Sequence, residues 1–159
     1  MVLNSIGLSA EKSLALSTDL NELLANFQRY YQNLRGIHWN IRGKRFFDLH
    51  VKFEELYNDA NIKVDEIAER ILTLGGVPLH TYEDYVAKSI VPVGKNITKD
   101  EDAIRLIVDS LTKLLLIERR ILTISGEADD EGTNSMMSDF ITEQEKTVWM
   151  MKAWLAEEI

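Results

Sequence analysis

Apolar residues recur at intervals of three and four over most of the chain, and this periodicity constrains the fold more than any other feature. The two prolines, Pro78 and Pro92, lie in one stretch that also holds Gly75, Gly76 and Gly94, so this stretch is the one obvious loop. We therefore predict four long amphipathic helices, A to D, at about 9–38, 49–74, 98–126 and, past an acidic turn at 129–132, up to 155.

The connections between the predicted helices identify the type of bundle. Short turns join A to B and C to D, whereas the long proline-containing crossover joins B to C. Four helices with a single crossover form the bundle of the ferritin-like proteins. Residues 81–87 can form a short extra helix within the crossover, and Thr98 to Glu101 predict a capping box for helix C. We expect an all-α fold and one domain over residues 1–159.

Composition and charge exclude several classes of function. The chain has no cysteine, which excludes disulfides, thiolate zinc sites and a cysteine nucleophile. No apolar run approaches the roughly 20 residues that span a bilayer, and the first residues lack the features of a secretory signal. We therefore expect a cytoplasmic protein with no membrane partner. The formal charge of −8 opposes accumulation on nucleic acid or on an anionic membrane.

Helix B has three faces when it is drawn at about 100° per residue. The apolar core face holds Leu49, Phe53, Leu56, Ala60, Val64, Ile67, Ile71 and Leu74. A mixed-charge stripe suited to water or polar surface holds Lys52, Glu55, Asp59, Lys63, Glu66 and Arg70. The third face holds His50, Glu54, Asn58, Asn61, Asp65 and Glu69, interleaved with Val51, Ile62 and Leu72. Because the helix is already buried on its core face, we infer that a second protein chain covers the third face.

Histidine and carboxylate side chains on the third face predict a metal site, since these groups bind iron, manganese or zinc without thiolates. His50 and Asp65 are 15 residues apart, which is about 22 Å along one helix, so a single chain cannot bring both to one metal. Two antiparallel copies about a two-fold axis can. His50 and Glu54 of one chain then face Asp65 and Glu69 of the other, and His38 could supply a second nitrogen.

Simpler structural roles compete with metal binding, and we assign only such roles to several other residues. An interfacial histidine is more often a packing residue than a ligand, and Asp65 and Glu69 could be ordinary exposed charges. However, like charges four residues apart on a helix repel by about 0.2–0.5 kcal/mol, which favours a bound cation on a partly apolar face. Elsewhere, we expect Trp39 to be a buried anchor, His80 to lie at the surface and residues 142–145 to be solvated.

Three segments resemble the signature of the Dps-type miniferritins, the family of DNA-binding proteins from starved cells. They are His38-Trp39-Asn40, residues 47–57 with Leu49-His50 and Phe53-Glu54-Glu55-Leu56-Tyr57, and residues 65–71, Asp65-Glu66-Ile67-Ala68-Glu69-Arg70-Ile71. The spacings of 12 between the histidines, 15 from His50 to Asp65 and 4 from Asp65 to Glu69 match the family's ferroxidase pattern. The resemblance covers nearly the whole chain, and one departure is Glu54, where the family commonly has Asp.

The resemblance implies a subunit of a hollow homododecamer with catalytic metal sites between two-fold related subunits. His38, His50 and Glu54 would come from one subunit, and Asp65 and Glu69 from its mate. The implied activity is oxidation of Fe(II), with hydrogen peroxide preferred over dioxygen, followed by storage of Fe(III) mineral in the cavity. Iron is the implied metal. Because this reaction removes ferrous iron and peroxide together, it would protect the cell against oxidative stress.

The resemblance also implies a route for iron into the cavity. Asp130 and Asp139 resemble acidic positions that line the three-fold pores of the family's cage. For Asp130 the alternative is an ordinary role at a helix N-terminus, where a carboxylate is favourable by about 0.3–1 kcal/mol. Both residues can line one channel only if Asp130 precedes the first helical turn, because nine residues of helix would place them on opposite sides.

Two other classes of function stay open as alternatives. The first is a DNA-compacting protein with little ferroxidase activity, which in this family uses Lys-rich tails. Residues 1–20 contain a single basic residue, Lys12, and the only local basic cluster is Arg42, Lys44 and Arg45, so we expect no DNA binding. The second is a bacterioferritin- or rubrerythrin-like enzyme, which uses Glu-x-x-His pairs inside one bundle. The chain contains no Glu-x-x-His sequence.

Overall fold

The computed structural model describes residues 2–159, and within them the chain forms five α-helices. These are α1 Ala10–Asn40, α2 Phe46–Thr73, α3 Tyr82–Lys88, α4 Asp100–Glu127 and α5 Glu131–Trp154. Predicted helices A to D correspond to α1, α2, α4 and α5, and α3 is the short helix of the crossover. The prediction of an all-α fold is confirmed. No helix in residues 2–159 combines the length and apolar character needed to cross a membrane.

The core consists of side chains that the periodicity assigned to it. Helix α1 packs against both α2 and α4, and α4 packs against α5. Leu16, Leu20 and Leu23 of α1 are fully buried, and the edge of the Phe27 ring meets Phe140 of α5 with 6.0 Å between centroids. Full burial of one such side chain is favourable by about 1.5–3 kcal/mol, so this pattern fixes which faces of the helices meet.

The crossover is attached to α1 by two buried asparagines. The Asn26 side-chain oxygen accepts hydrogen bonds from the main-chain N–H groups of Ile90 (2.9 Å) and Val91 (3.0 Å). Asn33 donates to the carbonyl of Pro92 (2.7 Å) and accepts from Gly94 N–H (3.0 Å). These bonds satisfy buried main-chain groups of a segment that has no strand partner. They hold the crossover along the side of the bundle.

The capping box predicted at Thr98 to Glu101 is wrong. Helix α4 starts with Lys99 at the N-cap, whose side chain makes no capping hydrogen bond, and Asp100 Oδ1 instead accepts from the Glu101 N–H (2.9 Å). Thr98 accepts a hydrogen bond from the Arg42 N–H at its main-chain oxygen (2.9 Å), and it therefore supports the turn between α1 and α2. The start of α4 has three acidic residues, Asp100, Glu101 and Asp102, which suit the positive end of the helix dipole.

Part of the mixed-charge stripe of α2 lies against polar groups of α5, whereas Glu55, Asp59 and Glu66 are exposed to water. Lys63 is only 4% exposed, and its ammonium donates to Asp59 and to Glu143 of α5, each at 2.7 Å. Arg70 lies nearby on the same stripe and pairs with Asp130 (2.5 Å). Opposite charge on the neighbouring helix thus allows the stripe to be partly buried.

Residues 142–145 are not uniformly solvated, because Gln144 is buried and donates to the carboxylate of Glu118 on α4 (2.6 Å). Glu118 is fully buried, and burial raises the pKa of its carboxyl from 4.5 to about 7, against the opposing effects of Gln144 and Lys63. Among the described residues, Glu118 Oε2 and Gln144 Oε1 have no hydrogen-bond partner. When Glu118 is protonated, its Oε2 can donate a hydrogen bond, which the oxygen of an ionised carboxylate cannot do.

Candidate metal centre

His38 and His50 face each other across the turn between α1 and α2. His38 lies in the last turn of α1 and His50 in the second turn of α2. Their rings are stacked, with 3.7 Å between centroids and 12° between planes. Each Nδ1 lies within hydrogen-bonding distance of the other residue's main-chain oxygen, at 2.6 Å for His38 and 2.7 Å for His50. The two residues predicted as nitrogen ligands are therefore brought together within one chain.

These hydrogen bonds determine which nitrogen is available to a ligand. A carbonyl oxygen can only accept, so each Nδ1 carries a proton and donates, and this assigns the tautomer of both rings. The lone pair of the neutral form of such a ring is on Nε2. A histidine that donates from one nitrogen to a carbonyl and presents the other nitrogen is the usual arrangement of a metal ligand.

Two aromatic side chains hold the histidine pair. The ring of Phe46 stacks on His50 with 4.8 Å between centroids, and the ring of Tyr57 meets His38 edge-on at 5.2 Å. The Tyr57 hydroxyl donates a hydrogen bond to Glu54 Oε1 (3.0 Å). Neither aromatic was assigned to the site from the sequence. The spacing of three residues between Glu54 and Tyr57 is the signal that could have found the second one, since such pairs meet on a helix.

The predicted carboxylate ligands lie on the exposed third face of α2. Glu54, Asp65 and Glu69 are all exposed. The aliphatic residues interleaved with them are also open to solvent, with Val51, Ile62 and Leu72 between 53% and 59% exposed. Within residues 2–159 of a single chain, no group of three or more histidine, aspartate or glutamate side chains is placed to hold a metal ion. The structure thus joins the two histidines, but it does not bring Glu54, Asp65 or Glu69 of the same chain into one metal-binding group with them.

The side chains of Trp39 and His80 are both exposed to solvent. Trp39 was expected to be a buried anchor, and this is wrong, because its side chain is 57% exposed beside the buried His38. The guanidinium of Arg35 lies 5.0 Å from the Trp39 ring centroid. His80 is exposed in the crossover, as predicted. The indole therefore contributes apolar area to the surface next to the histidine pair.

Asp130 and Asp139, the residues predicted to line a pore, lie in different environments. Asp130 is 2% exposed, caps α5 by accepting from Thr133 N–H (3.0 Å), and pairs with Arg70. It precedes the first turn of α5, and its carboxylate takes the helix N-terminal role that the sequence left open as the alternative. Asp139 is exposed and lines an open cavity of about 540 Å³ between α2 and α5. That cavity is also lined by Asp59, Glu66 and Glu143.

Comparison with known proteins shows to which class and to which family this chain belongs. Residues 18–158 match the ferritin-like domain family. A DNA protection during starvation protein from Porphyromonas gingivalis is 40% identical over 96% of both chains. A crystal structure of a Dps protein from Vibrio cholerae O1, described as a member of a broad superfamily of ferritin-like diiron-carboxylate proteins, covers 98% of each chain with a TM-score of 0.95 and 48% identity.

Dps from Staphylococcus aureus gives a TM-score of 0.86 with 36% identity, over 90% of this chain and 96% of that one. The chain belongs to the Dps-type miniferritins.

Proposed function

We propose that this protein sequesters iron and protects against oxidative stress by oxidising Fe(II) at a site shared by two subunits. Twelve subunits would enclose a cavity in which Fe(III) is stored as a mineral, in the cytoplasm. The observation that carries the proposal is the histidine pair, in which both Nδ1 atoms are hydrogen-bonded to main-chain oxygens, so that Nε2 is the ring nitrogen left for a metal. The pair lies beside an exposed face of carboxylates.

The site would be completed by a second copy of the chain. His38, His50 and Glu54 would bind iron together with Asp65 and Glu69 of the partner subunit. The length of α2 supports this arrangement, because His50 and Asp65 of one chain are about 22 Å apart along the helix. When a second copy of α2 packs antiparallel to the first, Asp65 of the partner subunit can lie next to His50. The exposed Val51, Ile62 and Leu72 support it as well, because they would be buried against the partner.

The donor set suits ferrous iron as the substrate and ferric iron as the product. Imidazole nitrogen and carboxylate oxygen bind both oxidation states, and an open coordination position admits the oxidant. We propose hydrogen peroxide as the preferred oxidant. Two Fe(II) ions each lose one electron, the O–O bond of one peroxide breaks, and with two protons it yields two molecules of water. The carboxylates would balance the charge of the bound ions, and the histidines would hold their position.

Iron would reach the cavity through acidic openings between subunits. Asp139 is the stronger of the two proposed pore residues, because its side chain is exposed whereas that of Asp130 is buried against Arg70. Exposed carboxylates of one sign raise the local concentration of a divalent cation. Because Asp130 is held at the N-cap of α5, it could contribute to a pore only through the electrostatic attraction of its negative charge for iron.

The test is the rate of Fe(II) oxidation in an Asp65→Ala, Glu69→Ala double variant, followed by ultraviolet absorbance after addition of Fe(II) and peroxide. We expect rapid oxidation to be lost while the variant still assembles, because both side chains are exposed in the subunit and neither fills the core. Glu55→Ala is a matched control, since Glu55 is an exposed carboxylate on the other polar stripe of α2. Oxidation at the normal rate in the double variant would overturn the proposal.

A further inference from the structure

We propose that Tyr57 is a positioning residue, which orients the carboxylate of Glu54 through a hydrogen bond while its ring packs against His38. The inference rests on the proposed function, in which Glu54 binds iron. It concerns the one ligand position at which this chain has the longer glutamate where the family commonly has aspartate. Tyr57 would act through Glu54 without touching the metal.

The hydrogen bond from Tyr57 engages only one oxygen of the carboxylate. The phenol donates to Glu54 Oε1 at 3.0 Å, so Oε2 stays free for another partner. Because Tyr57 follows Glu54 by three residues on α2, both side chains rise from the same side of the helix. The bond therefore selects the carboxylate orientation in which one oxygen is occupied and the other can bind a cation.

The hydroxyl is itself held in place by packing of the Tyr57 ring. The ring meets His38 edge-on, with 5.2 Å between centroids and 86° between planes. The Tyr57 ring also meets the Tyr31 ring edge-on, with 6.2 Å between centroids. The guanidinium of Arg35 lies over the Tyr31 ring, 5.2 Å from its centroid. Tyr57 thus touches one nitrogen ligand and hydrogen-bonds the oxygen ligand. It joins the two parts of the site that lie on α1 and α2.

The chemical need for such a restraint follows from the length and exposure of Glu54. An exposed glutamate samples many rotamers, and a ligand that is ordered beforehand loses less conformational freedom on binding. A glutamate has one more rotatable bond than an aspartate. A hydrogen bond to Oε1 removes much of this extra freedom, which accounts for how the longer side chain can occupy a position suited to the shorter one.

The experiment measures binding of Co(II) alone, without oxidant, to the assembled protein by calorimetry and by the visible absorption of the bound ion. Tyr57→Phe keeps the ring and its contacts but removes the donor. We expect Co(II) affinity to fall by about tenfold, the lower end of the range for loss of a partner that orients a ligand, and the visible spectrum to change. Tyr31→Phe is the matched control, because the Tyr31 hydroxyl makes no hydrogen bond to Glu54, and it should leave both unchanged.

A double-mutant cycle separates positioning from a general structural effect. In the Glu54→Ala background, removal of the Tyr57 hydroxyl should have no further effect on Co(II) affinity, because its acceptor is gone. Equal affinity and spectrum in Tyr57→Phe and the parent protein would overturn the inference, as would an equal loss in both backgrounds. If His50→Ala also left Co(II) binding unchanged, the proposed metal site itself would be contradicted. The His50 variant therefore distinguishes failure of the metal site from failure of the role given to Tyr57.

Discussion

His38 and His50 each donate a hydrogen bond from Nδ1 to the main-chain oxygen of the other, at 2.6 and 2.7 Å, with their rings stacked 3.7 Å apart. The pair therefore links the end of α1 to the start of α2 and sets the tautomer of both rings in the same arrangement. One feature thus serves both the fold and the candidate site.

This double role predicts a modest loss of stability in His50→Ala. The variant removes the bond from His50 to the His38 oxygen, whereas the bond from His38 to the His50 oxygen can remain, because its acceptor is main chain. We expect the free energy of unfolding to fall by about 1 kcal/mol, the usual net value of one hydrogen bond, in urea titrations at fixed protein concentration. His80→Ala, at an exposed histidine, should change it by less, and equal effects of the two variants would contradict the role given to the pair.

The buried Glu118 predicts a dependence of stability on pH. Its pKa is about 7 in the folded chain against 4.5 ordinarily, so the folded state keeps a proton that the unfolded state releases. Stability from this group is complete below about pH 4.5 and decreases as pH rises to about 7, by about 3 kcal/mol. In Glu118→Gln an amide replaces the protonated acid and can donate toward Gln144, so the decrease should disappear.

Chemical unfolding of the Glu118→Gln variant and the parent protein between pH 4.5 and 8 checks this prediction. Glu145→Gln is the matched control, because Glu145 is exposed and pairs with Arg119 at the surface of the same pair of helices. Only the Glu118 variant should gain stability relative to the parent as pH rises. A constant difference between Glu118→Gln and the parent at all pH values would show that Glu118 does not hold a proton in the fold.

Asp139→Asn should slow the accumulation of Fe(III) mineral while leaving the initial rate of Fe(II) oxidation at the proposed shared site nearly unchanged. The substitution removes an exposed charge without removing a buried contact. Asp130 is better left intact in this test, because its loss would leave Arg70 without its buried partner, a change that typically costs about 3–5 kcal/mol. Iron content after repeated additions of Fe(II) measures the effect, and equal mineral loading would exclude a role for Asp139 in uptake.

The assembled protein should not retard linear duplex DNA in a gel at roughly 0.15 M salt and neutral pH. Twelve chains of charge −8 would carry about −96 formal charges, which repel a polyanion. Of the basic cluster in the turn before α2, Arg45 pairs with Asp100 (2.9 Å), so Arg42 and Lys44 remain and would give a salt slope of only about −2. Retardation at submicromolar protein would favour the alternative, a protein that compacts DNA.

The sequence was sufficient to predict the helices and which side chains share a face of α2, because both depend on periodicity within one segment. Leu49, Phe53 and Ile67 are buried as their spacing requires, and Glu54 and Asp65 are exposed on a different face. Side chains within one helix keep a fixed angular relation whatever they pack against. Such features can be derived without knowing the neighbouring elements.

Features that depend on a neighbouring helix could not be derived in this way. Lys63 was assigned to a stripe suited to water or to polar surface, and Gln144 to solvated helix, but Glu143 and Glu118 supply partners that allow both to be buried. Trp39 was expected to be a buried anchor next to His38, yet the single chain offers it no covering element. The pairing of residues on different helices requires the fold before it can be assessed.

The most direct test of the central claim, that each site is shared between two subunits, is complementation between His50→Ala and Asp65→Ala chains. Neither variant alone should oxidise Fe(II) rapidly, because every site in it lacks one ligand. When equal amounts are unfolded and assembled together, half of the dimers pair unlike chains, and each of these has one intact site, so about a quarter of the parent rate should return. The same variants mixed after separate assembly serve as the control. A co-assembled mixture that is no faster than this control would contradict the shared site.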